Sequence, residues 1–149
     1  MQQTDMPNDI VVINHFTEDH IGQLHQLYQG EWWCRTRTLL ETKQCVAGSQ
    51  VCIGLTTRDD QLVGFARVLT DYIFKAFIFD VIIASEERNK GLGDQLLFLV
   101  KHHPDLRKVR HFELYCLPGM SPFYQRHGFS TDTGDIKLMR YQPDNPSAD

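Results

Sequence analysis

The sequence predicts a mixed α/β domain built on one central sheet. Three observations predict it. The hydrophobic pattern changes period repeatedly and reads β-α-α-β-β-β-α-β-α-β along the chain. Neighbouring strands in the middle are joined by a short turn, which makes them antiparallel, whereas a later β-α-β stretch favours parallel neighbours. The length, 149 residues, fits one domain and supports a real core without staples. The whole chain, 1–149, therefore reads as a single domain, with 1–9 and 143–149 as flexible tails.

Each element has its own warrant. Ile10–Phe16 reads as a strand. Thr17 is an N-cap residue for a helix whose apolar face is Ile21, Leu24 and Leu27. Gly30–Thr38 reads as a loop carrying Glu31, Trp32, Trp33, Arg35 and Arg37. Leu39–Ala47 is a second helix, closed by Gly48. Val51–Thr57 and Leu62–Leu69 are strands joined through Arg58-Asp59-Asp60. The run from Ile73 to Ala84 has the apolar density of a central strand covered on both faces. Gly91–His102 is a helix with Leu92, Leu96, Leu99 and Val100 on one side. His111–Cys116 is a strand, and Ser121-Pro122 opens a short helix that ends at Gly128. Ile136–Tyr141 reads as a final strand.

Composition excludes several classes. Hydrophobic residues make up 42% and charged residues 23%, so the chain is neither fibrous nor globally disordered. Fifteen basic against 19 acidic residues give a net charge of −4, and no basic stripe exists to neutralise phosphates, so no nucleic-acid partner is expected. The apolar run 72–84 is too short for a membrane helix and is interrupted by Lys75 and Asp80, so no membrane partner is expected either. Met1–Asp9 is polar and acidic, unlike a signal peptide. The four cysteines form no Cys-x-x-Cys pair and read as reduced thiols of a cytoplasmic protein. No histidine set has metal-ligand spacing, so no metal is expected.

The most informative segment is Ile82-Ile83-Ala84-Ser85-Glu86-Glu87-Arg88-Asn89-Lys90-Gly91-Leu92-Gly93. A buried strand passes through a polar turn into two glycines that open a helix. Such a turn aims unpaired amides at one point, at the positive end of the helix dipole, and that point suits phosphate or pyrophosphate. Gly91 and Gly93 permit close approach, and Arg88 and Lys90 add charge. It is neither a dinucleotide fingerprint, since Leu96 stands at the third glycine position, nor a Walker loop.

Arg88-x-x-Gly91-x-Gly93 after a long apolar strand resembles the acetyl-coenzyme A signature of the GNAT superfamily of N-acetyltransferases. Phe123-Tyr124-Gln125-Arg126-His127-Gly128-Phe129 is similar to that family's Phe-Tyr-x-x-x-Gly-Phe. Leu62–Leu69 followed by Phe79–Ile83 resembles a bacterial branch that acts on small molecules. The chain departs from the pattern at Asp94, where Ser, Thr or Arg is usual, and at Leu117 and Met120, where Asn and Ala are usual.

The resemblance implies a central mixed, mostly antiparallel sheet of about six to seven strands flanked by about four helices. It also implies acetyl transfer from acetyl-coenzyme A, without a metal, to an amine by direct transfer in a ternary complex, and a homodimer is frequent in the superfamily. The expected acceptor is a primary amine of a small molecule. A protein or peptide amine, or a non-catalytic acyl-coenzyme A sensor, are the alternatives. By the same resemblance Val81, Ile82, Ile83, Arg88, Asn89, Lys90, Gly91, Leu92 and Gly93 contact the coenzyme. Val81 N–H is the first choice for the carbonyl donor, and Ile82 and Ile83 pair with the pantetheine arm like an added strand. Tyr124 lies beside the coenzyme sulfur as general acid.

An acid inside an apolar run is costly unless paired or useful, so Asp80 is the candidate base, a holder of a water, or a structural hydrogen-bond acceptor. A base is dispensable where desolvation lowers the amine's pKa. Glu31, Trp32 and Trp33 are candidates for the acceptor pocket, Glu31 holding an ammonium and a tryptophan adding a cation–π contact; equally, they are surface and core lids. Arg67 either binds a substrate carboxylate or pairs with an acid. Arg35 and Arg37 read as solvated.

Overall fold

A computed structural model describes residues 7 and 9–144. Most of both expected tails lies outside them. The elements are β1 (Ile10–Ile13), α1 (Glu18–Gln29), α2 (Leu39–Ala47), β2 (Val51–Thr57), β3 (Leu62–Thr70), β4 (Lys75–Ile83), α3 (Leu92–Lys101), β5 (His111–Leu114) and α4 (Ser121–Gln125). Both N-terminal helices start at capping boxes. Thr17 accepts from His20 N–H and Thr38 from Glu41 N–H, while the side chains of His20 and Glu41 return to the cap amides.

Among the described residues the sheet has five strands in the order β1-β2-β3-β4-β5, with three antiparallel pairings and a parallel β4/β5 pairing. That is fewer than the six to seven expected. Ile136–Tyr141 forms no strand: its apolar side chains stay in solvent, Met139 at 90% exposure, and the backbone bonds around it are local turn contacts such as Ile136 N–H to Thr133 C=O. Alternation alone does not make a strand without a partner edge. The long central run is also trimmed. Asp71 accepts from the amides of Ile73, Phe74 and Lys75, so that stretch becomes a turn before β4 begins.

Alternation along the strands splits the core into two layers. Val51, Ile53, Leu55, Ala66, Val68, Ala76 and Ile78 face α3 through Leu92, Leu96 and Val100. Cys52, Leu62, Phe65 and Ile82 face α1 through Leu24 and Tyr28. In β4 the phase reverses. Ile78 faces α3, yet Ile82, four residues on, faces α1. The register explains it: Phe65 pairs with Ile82 but Arg67 with Phe79, so β4 carries one extra residue across Asp80 and Val81. This is a β-bulge, and Asp80 adopts φ 57° within it.

Beyond the bulge β4 also loses its other neighbour. Its pairing with β5 runs from Lys75↔His111 to Ile78↔Leu114, where β5 ends. The edge of Phe79–Ile83 on that side has no strand partner among the described residues.

Phe65 is fully buried and meets Phe16 and Tyr28 edge-on at 5.4 and 6.4 Å. Phe65→Ala should cost about 3–5 kcal/mol, read as a lower midpoint in denaturant unfolding.

Candidate active site

The bulge places an ionised group where the strand pattern predicts core. Asp80 Oδ2 accepts from Tyr28 Oη at 2.9 Å, from Arg37 Nη1 at 2.6 Å and from Arg67 Nε at 2.7 Å. Arg37 Nη2 reaches Oδ1 at 3.2 Å. The carboxylate side chain is only 4% exposed, against 26% for Arg37 and 13% for Arg67. Arg67 shares the α1 side of β3 with Phe65, two residues before it, and its guanidinium lies 5.0 Å from the Phe79 ring. Arg37 sits between the rings of Tyr28 and Trp33, at 4.7 and 5.5 Å.

The electrostatics follow from these contacts. Burial works against a charge on Asp80, but the bonds and charges of Arg37 and Arg67 outweigh it and hold the carboxyl below the usual carboxylate range. Burial, then the charge and hydrogen bond of Asp80, push the Tyr28 phenol up, so it stays neutral. A carboxylate whose pKa two guanidiniums depress is a poor proton acceptor at neutral pH. The geometry of Asp80 is that of an ion-paired anchor. Arg37, read from the sequence as solvated, is the partner that sequence reasoning missed. The signal was Asp80 itself: an acid in an apolar strand demands cations, and the Trp-rich loop supplied one. Arg35 is exposed.

The phosphate-type loop forms as the glycines require. Gly91 caps α3 at φ 81°, a conformation that favours glycine, and a Cβ there would meet nothing within 4 Å. Gln95 N–H is the first to close a helical bond, onto Gly91 C=O at 3.1 Å. The amides before it, from Gly91 to Asp94, find no acceptor among the described residues. Gly93 is small for another reason: a Cβ there would stand 3.3 Å from the Phe123 ring. Leu92 is buried core. Both loop cations already have acid partners, Lys90 with Glu87 at 2.9 Å and Arg88 with Glu31. Arg88 Nε also donates to Ile83 C=O at 3.1 Å.

α4 is fastened to the first turn of α3. His127, 3% exposed, donates through Nε2 to Asp94 Oδ1 at 2.7 Å, and Arg126 adds a contact at 3.1 Å. The acid that departs from the usual pattern thus turns away from the loop amides to bind α4. The other ring nitrogen of His127 has no partner among the described residues. Tyr124 is half-buried on this helix, its ring 6.1 Å from Phe129, and its hydroxyl makes no hydrogen bond among the described residues. Burial, with a smaller contribution from the nearby Cys116, pushes its phenol up to about 12.

The remaining expectations divide. Glu31 meets Arg88, Trp33 meets Arg37, and Trp32 is 63% exposed. A cavity of about 190 Å³ brings together Leu27, Glu31, Ile82, Ile83 and Arg88 between the end of α1 and the end of β4. Another, of about 220 Å³, lies between β1 and the far end of α3 near His102 and holds none of the predicted residues.

Residues 39–139 match the Acetyltransferase (GNAT) domain. The chain belongs to the GNAT acetyltransferases. Among solved structures, a GNAT-family acetyltransferase from Xanthomonas campestris superposes with a TM-score of 0.79 at 31% identity, covering 93% of this chain and 96% of that one. An uncharacterized N-acetyltransferase of Porphyra purpurea is 28% identical over 89% of this chain and 78% of its own. An acetyltransferase fold from Deinococcus radiodurans aligns with a TM-score of 0.72 at 24% identity, over 94% and 93% of the two chains. This GNAT chain is thus an acyltransferase by family, on the fold that its two motifs implied.

Two substitutions test the fastenings. Asp80→Asn strands two guanidiniums beside a neutral amide and should cost about 3–5 kcal/mol in denaturant unfolding. For wild type, the depressed Asp80 pKa makes this stabilisation complete above the ordinary carboxylate pKa of about 4 and lost only as pH falls below it. Stability that declined between pH 8 and 6 in proportion to the Asp80→Asn difference would contradict the assignment. Asp94→Ala should cost about 1–3 kcal/mol by leaving His127 without any acceptor in its buried site.

Proposed function

We propose that this chain moves an acetyl group from acetyl-coenzyme A to a primary amine of a small molecule, by direct transfer while both are bound. The observation that carries the reading is the continuity of two open stretches of backbone. The strand-free edge of β4 leads, through the turn at Ser85–Glu87, to the acceptor-free amides opening α3. An extended pantetheine arm with a diphosphate at one end has that combination of needs. The space beside Gly91 fits it.

In this reading the amides of Gly91, Leu92 and Gly93 receive the diphosphate, with Arg88, Asn89 and Lys90 around them. Arg88 keeps Glu31 through Nη2 and turns Nη1 to the phosphate. Ile82 and Ile83 offer backbone to the arm while their side chains stay in the core. The coenzyme, when bound, supplies the acetyl thioester. Val81 N–H, freed at the bulge, is the donor toward the acetyl oxygen. Tyr124 keeps its proton at neutral pH, since its pKa lies near 12, and is the group to deliver it to the leaving sulfur. Asp80 positions this machinery by pinning the bulge, and no side-chain base is assigned: a half-buried site beside two guanidiniums lowers the amine's own pKa. The cytoplasmic reading rests on four free cysteines, two of them buried.

Calorimetric titration with acetyl-coenzyme A should give saturable binding, and thiol release should rise with amines in the mixture. Binding without any amine-dependent release would make the chain a sensor, and no binding at millimolar ligand would remove the reading. Tyr124→Phe should lower kcat about 10²-fold with coenzyme Kd unchanged; an unaltered kcat removes it as the acid. Gly91→Val, strained at φ 81° and facing the open space, should weaken coenzyme binding while acceptor KM holds.

A further inference from the structure

We propose that the acceptor is an amine carrying its own anionic group, a carboxylate or a phosphate, and that Arg37 and Arg67 select for it. This rests on the acetyltransferase reading above and adds the substrate's charge. The argument begins with a charge count. Two guanidiniums converge on one carboxylate, Asp80, whose four accepted bonds come from Arg37, Arg67 and Tyr28. Tyr28 is held neutral. The thiols facing the cluster are neutral too, since burial raises Cys34 and Cys52 to about 11. Glu31, the nearest other acid on this loop, is ion-paired with Arg88. One positive charge is therefore left over in a half-buried place.

The surplus is also accessible. Arg37 keeps 26% of its side chain exposed and Arg67 13%, whereas Asp80 keeps 4%. Arg67 donates through Nε to Asp80 and through Nη1 to Ser49 at 3.4 Å, and its Nη2 has no acceptor among the described residues. The wall around them is aromatic, made by Trp33 and Phe79, and screens the charge poorly compared with water. The cluster stands at the bulge, one residue from the Val81 amide.

A buried cation beside the reacting centre sorts acceptors by charge. It attracts an amine that brings a carboxylate or phosphate and can bind it in the planar fork of a guanidinium. It repels polyamines and lysine-rich tails, which bring further positive charge.

Wild-type protein decides the matter with acetyl-coenzyme A and matched acceptors. The pairs are β-alanine against propylamine and O-phosphoethanolamine against ethanolamine, with spermidine and oligolysine as polycations. At least one acid-bearing amine should exceed its plain partner in kcat/KM by about tenfold or more, and the pair that does so tells carboxylate from phosphate. Arg37→Gln should bring that ratio close to one. Calorimetry on wild type should show N-acetyl-β-alanine or N-acetylphosphoethanolamine binding more tightly than its plain amide. Equal rates within both pairs, or spermidine as the best acceptor, overturn this inference alone. No turnover with any amine overturns the acetyltransferase reading and this one with it.

Discussion

The ion pair at Asp80 is the constraint on which the rest of the molecule depends. One extra residue in β4 reverses the inward and outward alternation of the strand, and that reversal lets Ile78 serve the α3 layer while Ile82 serves the α1 layer. A bulge in a central strand leaves backbone and one side chain without their ladder places. Asp80, at φ 57°, turns that cost into an anchor by drawing in Tyr28 from α1, Arg37 from the loop after α1 and Arg67 from β3. Three elements distant in sequence are thereby referred to one carboxylate. The strand edge that β5 leaves open and the amides at the start of α3 follow directly after it in the chain.

Where local chemistry decides, the fold was legible. Thr17 caps α1 as the sequence suggests, and two glycines open α3 where the motif places them. The long strand Val51–Thr57, buried on both faces, came out as read. What failed to show in the sequence depends on partners. Ile136–Tyr141 has strand-like alternation but pairs with no strand among the described residues, and Ile73-Phe74 looks like strand until Asp71 captures its amides.

The candidate site divides along the same line. Motif residues such as Gly91, Gly93 and Tyr124 were visible because spacing identifies them. Their companions were not. Nothing in sequence pairs Asp94 with His127, 33 positions away, although together they join α4 to α3 and account for an acid at a place where one seemed unfavourable. Arg37 was misread for the same reason: a polar residue in a loop looks solvated until a buried acid on another element claims it. Long-range electrostatics is a property of topology, and topology lies beyond periodicity.

The short reach of β5 has a consequence for divergence. Because pairing stops at Ile78↔Leu114, the opening beside β4 is walled by peptide groups, whose hydrogen-bonding capacity is the same whatever residue carries them. Substitution can run freely along such a wall as long as the carbon skeletons behind it fill the same volume. Tolerance of that kind lets architecture outlast identity, and relatives that retain fewer than a third of these residues can still superpose closely on this chain.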